Sequence, residues 1–479
     1  MRLRARDRDD RPGRGDHLDG RPGSKDTMTD TAYDELLRPR FHFTAKRNWL
    51  NDPNGLVHCD GVWHLFFQHH ADGLRWGPMT WGHAVSPDLV HWTQLEHALR
   101  PDDLGTMWSG SAVVDRRDTS GLRIGATPPL VAMYTAVRPD APASATQCLA
   151  ASTDGGATWT KHAGNPVIPC IEPGNRDPKV IWHEPTGRWV MALYLAGSAY
   201  ALFASPDLKA WTRIQTITVP GTSECPDFFP LRIDGDASRE QWVLWVADGV
   251  YVLGDFDGDR FTPRSERLVC ELGPNGYAAQ TWSDAPDGRR TQISWMRGGT
   301  YPWMPFNQQL SFPVDLTLRS TPEGPRLYRW PVREIGSLVA RRTALDGATL
   351  SGRPLYPEPG DGLYDLEIEI DVGSATALHL RIHGRELRYQ VAEGTLTLLE
   401  RTARVPTEDG RLRLRLLIDR TSIEWFADGG RHSASFCFLA DGCDEPLAVW
   451  STGGDARIVR GEIRHLRSAW HPLPPAAKA

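Results

Sequence analysis

The sequence predicts an all-β protein, a five-bladed β-propeller followed by a C-terminal β-sandwich, and three observations carry that prediction. Apolar runs are short and bounded by Gly, Pro or Asp. A Ser-x-Asp turn followed by an aromatic residue recurs at blade-sized intervals. Beyond about Leu345, apolar and charged residues alternate strictly. Gly 45 and Pro 37 suit a chain of many short strands joined by turns, and 479 residues leave room for more than one core.

Residues 1–28 alternate Arg and Asp with Gly and Pro around no apolar centre, so they read as a disordered extension, with Met28 opening a more ordinary beginning. A short helix is expected around Tyr33 to Leu37. The propeller is expected over 38–320. Its strand-like runs include Val62 to His70, Leu130 to Val137, Arg188 to Ala196, Gln241 to Val246 and Thr291 to Met296, each rich in aromatic or β-branched residues. The repeat lies among them. Ser86-Pro87-Asp88 precedes Trp92, Ser152-Thr153-Asp154 precedes Trp159, Ser205-Pro206-Asp207 precedes Trp211, and Gly254-Asp255 before Phe261 is a weaker fourth copy. One such copy is an ordinary hairpin, but copies spaced by roughly 50 to 65 residues are the size of propeller blades with long loops. Blades surround a funnel where residues distant in sequence can meet.

Thr321-Pro322-Glu323-Gly324-Pro325 marks a boundary, so 321–344 is expected to be a linker and 345–472 the sandwich. There Leu366, Ile368, Ile370 and Val372 alternate with Asp365, Glu367, Glu369 and Asp371, and Leu412, Leu414 and Leu416 alternate with Arg411, Arg413 and Arg415. Period two means one buried and one wetted face. No acid cluster marks this second part, which is assigned to stability, spacing or assembly.

Composition narrows the function. A net charge of -6 disfavours a nucleic-acid partner, which wants surplus Lys and Arg on one face, and is compatible with a neutral substrate. Trp 19 is high, as suits both core filling and flat platforms for sugars. Seven scattered cysteines without a Cys-x-x-Cys pair indicate neither a disulfide framework nor structural zinc. No apolar stretch reaches membrane-spanning length, and no secretory signal opens the chain, which points to the cytoplasm.

Three acids stand beside prolines: Asp52 in Trp49-Leu50-Asn51-Asp52-Pro53-Asn54-Gly55, Asp177 in Asn175-Arg176-Asp177-Pro178, and Glu224 in Ser223-Glu224-Cys225-Pro226-Asp227. Any one alone is usually a structural turn. Together they suit retaining glycosidic cleavage, which needs a carboxylate nucleophile and a protonated acid roughly 5 to 5.5 Å apart. Asp52 is the expected nucleophile and Glu224 the acid, its pKa raised by burial or a neighbouring charge. Asp177 would grip sugar hydroxyls while Arg176 donates to hydroxyls and balances charge. Cys225 lacks a base partner and is expected to shape the surroundings of Glu224. His69, His70 and His83 lack the spacing of a zinc motif, so no metal is expected.

These residues resemble glycoside hydrolase family 32, the invertases, levanases and inulinases. Trp49 to Gly55, Arg176-Asp177-Pro178 and Glu224-Cys225-Pro226 are similar to its three signatures, in order. Trp81-Gly82-His83-Ala84, Trp108-Ser109-Gly110-Ser111-Ala112 and Ile423-Glu424-Trp425-Phe426 extend the likeness from about Phe41 to about Arg467. The resemblance implies a five-bladed propeller and sandwich, retaining cleavage of β-fructofuranosides and no cofactor. It also implies Asp52 as nucleophile, Asp177 as transition-state stabiliser and Glu224 as acid/base. Asn51, Gln68, Trp76, Trp108, Ser111 and Arg176 would line the fructose pocket. Read without it, Trp76 is core filler, and Gln68 and Ser111 are satisfied strand polar groups.

The chain departs from that pattern at His69-His70-Ala71, at Ser223 and in Leu272 to Tyr277, while Met304 to Pro313 looks like bacterial levanase-type members. Fructans, fructo-oligosaccharides or sucrose are therefore the expected substrates. A fructosyltransferase using the same acids is the close rival, an arabinan-cleaving propeller a further one, and a sugar-binding propeller the non-enzymatic one.

Overall fold

The computed structural model describes residues 33–407, 409–439 and 445–470. The proposed extension 1–28 lies outside them. Five sheets follow one another along the first three hundred residues or so, each a meander whose strands run in sequence order. Their first strands are Asn48–Cys59, Thr106–Val114, Arg176–His183, Asp227–Arg232 and Gly276–Thr281. Each of these lies against the first strand of the next blade, and Gly276–Thr281 lies against Asn48–Cys59, which closes the ring. Phe306–Asn307 pairs in parallel with Asn48 and Trp49, a second link between the last blade and the first. The molecule is a five-bladed propeller followed by a sandwich.

Alternation and β-branching placed the blade strands well: Val62–His70, Leu130–Val137 and Thr291–Met296 form as expected. The recurrent turn has a shared mechanism. Asp88 Oδ1 accepts the N–H groups of Val90 and His91, Asp207 Oδ1 those of Lys209 and Ala210, and Asp154 Oδ1 that of Thr158. The Trp that follows each turn donates its indole N–H back to the turn, Trp92 to Leu89 O, Trp159 to Gly156 O and Trp211 to Leu208 O. In the fourth copy the turn aspartate is Asp257, which accepts from Asp259 and Arg260, whereas Asp255 pairs with Arg264.

Two expectations are corrected. Tyr33 to Leu37 forms a turn rather than a helix, and among the described residues the only helices are four short 3-10 pieces. Five residues cannot offset the cost of helix nucleation, and Glu35 instead takes two hydrogen bonds from Arg38. The segment 321–344 is not a linker throughout. Val314–Arg319 and Arg326–Pro331 pair in register, so Thr321 to Pro325 is a hairpin turn inside the fifth blade. Val339–Ala344 already belongs to the sandwich, paired with Ala456–Leu466. Only the short 3-10 stretch Arg333–Leu338 separates the two parts.

In the sandwich Leu366, Ile368, Ile370, Leu412, Leu414 and Leu416 point into one core. The opposite face is not wholly wetted. Asp365 is fully buried and holds both Arg415 and Arg464, because that face lies against the propeller, where the Arg415 guanidinium sits 5.1 Å from the Trp330 ring. The seam between the two parts is polar and buried. Arg329 of the fifth blade, paired with Glu271 at 2.5 Å, donates across the seam to Ser433 Oγ at 2.9 Å, Glu271 accepts the Ser435 N–H at 2.8 Å, and His42 lies between Asp419 at 2.8 Å and Glu424 at 2.7 Å. Asp419 also accepts the backbone N–H groups of Arg40, Phe41 and His42. No helix among the described residues is long and apolar enough to cross a membrane.

Candidate active site

The first strands bear the candidate residues at points where their pairing slips. Register shifts fall between Leu50 and Pro53, between Met107 and Gly110, opposite Asp177 between Ala192 and Tyr194, and between Tyr277 and Gln280. A bulge bends a strand and re-aims its side chains. Pro53 and Pro178, which have no N–H for a ladder, fit where the ladder is already broken. At Gly110 a Cβ would stand 2.0 Å from Met133 O, so only glycine admits this close approach.

Backbone strain collects at the same place. Asp177 has φ 64°, Glu224 61°, Cys225 44° and Ala278 52°, all in the left-handed region that non-glycine residues seldom occupy.

The result is one cavity of about 450 Å³, lined among others by Asn51, Asp52, Gln68, Trp76, Trp108, Ser109, Arg176, Asp177, Glu224 and Tyr277. All three predicted acids therefore reach one pocket. Ser109 Oγ donates to Asp52 Oδ2 at 2.6 Å, and Asn51 Nδ2 to Asp52 Oδ1 at 3.1 Å; Trp49 Nε1 in turn orients Asn51 at 2.9 Å. Asp177 Oδ2 accepts the Cys225 N–H at 3.0 Å. Glu224 is gripped at both oxygens, by Arg176 Nη2 at 2.5 Å and Tyr277 Oη at 2.5 Å. Arg176 is itself steadied by Gly174 O at 2.6 Å and by the Tyr194 ring, 4.6 Å away.

Electrostatics do not follow the expectation for Glu224. Burial pushes its pKa up, but the Tyr277 and Arg176 hydrogen bonds and the Arg176 charge outweigh it, and the net direction is down. Asp177 is raised instead. Burial, with Asp52 and Glu224 adding like charge, carries it to about 7 despite Arg176 and the Cys225 N–H. Asp52 is also raised, by burial first, against the hydrogen bonds from Ser109 and Asn51. Arg176 and Tyr277 both hydrogen-bond Glu224, whose pKa is lowered, whereas burial raises the two aspartates.

Other site residues divide. Gln68 lines the pocket while its Nε2 donates to Met107 O at 2.9 Å. Trp76 is 57% exposed, so it is not core filler, and it meets Trp108 edge to face at 6.0 Å. Ser111 is a correction: buried, it donates to Pro178 O and accepts the Val180 N–H, tying the second blade to the third without reaching the pocket. Cys225 is another. Its Sγ lies 3.4 Å from Asp177 Oδ2 and 3.8 Å from Asp52 Oδ2, so it shapes the aspartates rather than Glu224. His69, His83 and His70 go to separate partners, His97, His64 and the Arg75 carbonyl. Sequence reasoning missed Ser109, Tyr277, Trp295 and Arg297 as pocket residues. Ser109 and Tyr277 each lie in a stretch compared above with the family pattern, Trp108 to Ala112 and Leu272 to Tyr277, whereas Trp295 and Arg297 carried no such signal.

Comparison with known proteins agrees with this geometry. The model of the glycosyl hydrolases family 32 N-terminal domain matches residues 42–331, and that of the family's C-terminal domain matches residues 341–465. The chain is 36% identical to a levanase of Bacillus subtilis (strain 168), over 94% of this chain and 73% of the relative. Among solved structures, the exo-inulinase of Aspergillus awamori superposes with a TM-score of 0.83 at 27% identity, covering 91% of this chain and 100% of that one. A fructofuranosidase of Schwanniomyces occidentalis, solved with fructose, reaches 0.82 at 26% identity, covering 92% and 100%. With both domain models matched in order across nearly all of the described residues, the chain belongs to glycoside hydrolase family 32.

Proposed function

We propose that this enzyme cleaves β-fructofuranosidic bonds in levan-type or inulin-type fructans, fructo-oligosaccharides or sucrose, with retention and through a covalent fructosyl-enzyme intermediate. The observation that carries the reading is the convergence of Asp52, Asp177 and Glu224 on one pocket with distinct partners for each. The names of the relatives, levanase, exo-inulinase and fructofuranosidase, point to fructosides as the substrate class.

Asp52, held by Ser109 and Asn51, attacks the anomeric carbon, and Glu224 delivers a proton to the departing oxygen. Glu224 then takes a proton from the water that releases fructose. Asp177, with its pKa near 7, can accept from or donate to a sugar hydroxyl, which suits a group that follows a changing ring. Trp76 and Trp108 supply apolar walls, and Gln68 and Asn51 polar ones.

Glu224, held down by Tyr277 and Arg176, takes up this role when substrate changes its surroundings. A bound sugar hydroxyl competes for Arg176 and expels water from around Glu224; both effects raise its pKa. Assays of purified protein on sucrose, inulin and levan side by side test the substrate class. Failure to release fructose or fructo-oligosaccharides from any of them refutes it. Product analysis on levan also separates hydrolysis from fructosyl transfer, since cyclic or elongated products require a sugar hydroxyl in place of water.

A further inference from the structure

Trp303 is 98% exposed, more than any other large hydrophobic residue among those described. It is the third residue of the turn Tyr301–Met304, in which the Met304 N–H donates to Tyr301 O at 3.3 Å, and its φ is 66°. Proline second and positive φ third is the pattern of a type II turn, whose third position belongs by default to glycine. A tryptophan there strains the backbone and gains no burial in return.

The loop is not loose. Tyr301 is buried, its ring lies 5.2 Å from Phe306 and its hydroxyl donates to Gln309, while the Asn48 N–H donates to Pro305 O at 2.7 Å. Its course links it to the pocket. It leaves the wall at Arg297, which lines the cavity, and returns at Asn307, whose amide donates to Leu74 O at 2.9 Å. Leu74 belongs to the loop that carries Trp76, and these two are 43% and 57% exposed. Two loops pinned together beside the pocket thus present Leu74, Trp76 and Trp303 to solvent.

We infer that Trp303 is a distal sugar-binding residue, a stacking platform for fructosyl units of a chain that runs out of the pocket past Trp76. Flat indole faces suit the C–H faces of a neutral sugar, and the rigid turn fixes the ring in advance, so little side-chain freedom is lost on binding. The inference rests on the fructoside reading of the pocket and adds chain length as the property selected.

The test is Trp303→Gly, which removes the ring and relieves the strained φ, so the thermal midpoint should hold or rise. Kinetic constants on sucrose and on long-chain levan and inulin are measured for both proteins. Gel retardation by levan is compared for Asp52→Asn with and without the second change. The expected result is a KM for polymer raised about five- to tenfold, with sucrose constants unchanged and retardation weakened. An unchanged ratio of polymer to sucrose kcat/KM overturns the inference and leaves the fructoside reading standing. So does a wild-type dimer that Trp303→Gly splits in sedimentation while polymer constants stay intact, which would make the ring a contact between copies. If the unaltered enzyme cleaves none of these fructosides, both readings fall.

Discussion

At the scale of single residues, the three acids differ in what holds them, and that difference predicts their behaviour. Asp52→Asn keeps the hydrogen-bonding shape beside Ser109 but removes the proposed nucleophile; turnover should fall by about 10⁴-fold or more with thermal stability retained. Glu224→Gln should cost about 10²- to 10⁴-fold. Near-normal turnover in either, measured on sucrose, refutes the assignment. Tyr277 positions Glu224 without being one of the acids. Tyr277→Phe removes a donor that favours the charged carboxylate, so the alkaline limb of kcat/KM should move to higher pH; a limb that stays in place excludes this role. In the native enzyme the alkaline limb of kcat should lie above that of kcat/KM, since the first reports the substrate complex and the second the free enzyme. Coincident limbs would show that substrate does not raise Glu224. That these three acids belong together was legible from their sequence motifs, and they do line one cavity. Their protonation order was not, because Tyr277 and Arg176 act on Glu224 through contacts spanning 53 and 48 residues of sequence.

At the scale of elements, the inner strands show where strand parity misleads. Ser109 and Ser111 are two apart and in an even strand would share a face. The register slip between Met107 and Gly110 turns Ser109 to the pocket and leaves Ser111 between blades. The alternation that revealed the blades thus gave no warning of which serine serves the site. Ser109→Ala should therefore lower kcat with little change in stability. Ser111→Ala strands the buried Val180 N–H and should cost about 1–3 kcal/mol of unfolding free energy with kcat nearly intact. Denaturant unfolding and steady-state rates on the two variants check this; the opposite pattern would mean that the slip does not aim Ser109. The hairpin mistaken for a linker has a similar cause. Thr321 to Pro325 has the composition of an interdomain segment, but a tight turn uses the same residues, and only the pairing of Val314–Arg319 with Arg326–Pro331 distinguishes them.

For the molecule as a whole, the propeller and the sandwich are joined by charge as well as by apolar packing. Burial alone would lower the His42 pKa, but its hydrogen bonds to Asp419 and Glu424 and their charges raise it to about 9. A histidine raised on folding contributes stability that is fully present below its unfolded value of about 6.5 and is lost as pH rises through about 9. Asp419, lowered against burial by the His42 hydrogen bond and charge and by the Arg40 and Phe41 N–H groups, contributes above its ordinary range and loses that contribution in acid. His42→Ala should then destabilise the protein by several kcal/mol at pH 6 and flatten its stability between pH 7 and 9, measured by thermal unfolding across pH. A profile unchanged in shape would show that His42 is neutral. No spacing in the sequence announces this triad, whose members come from the chain's beginning and its last third. The ring itself has a temporal consequence. Asp52, Asp177 and Tyr277 ride on separate blades, and Phe306–Asn307 fastens the last blade to the first. A nascent chain that stops short of Asn307 therefore lacks the strand that clasps the last blade to the first, and its pocket walls have nothing at that point to hold them in a circle.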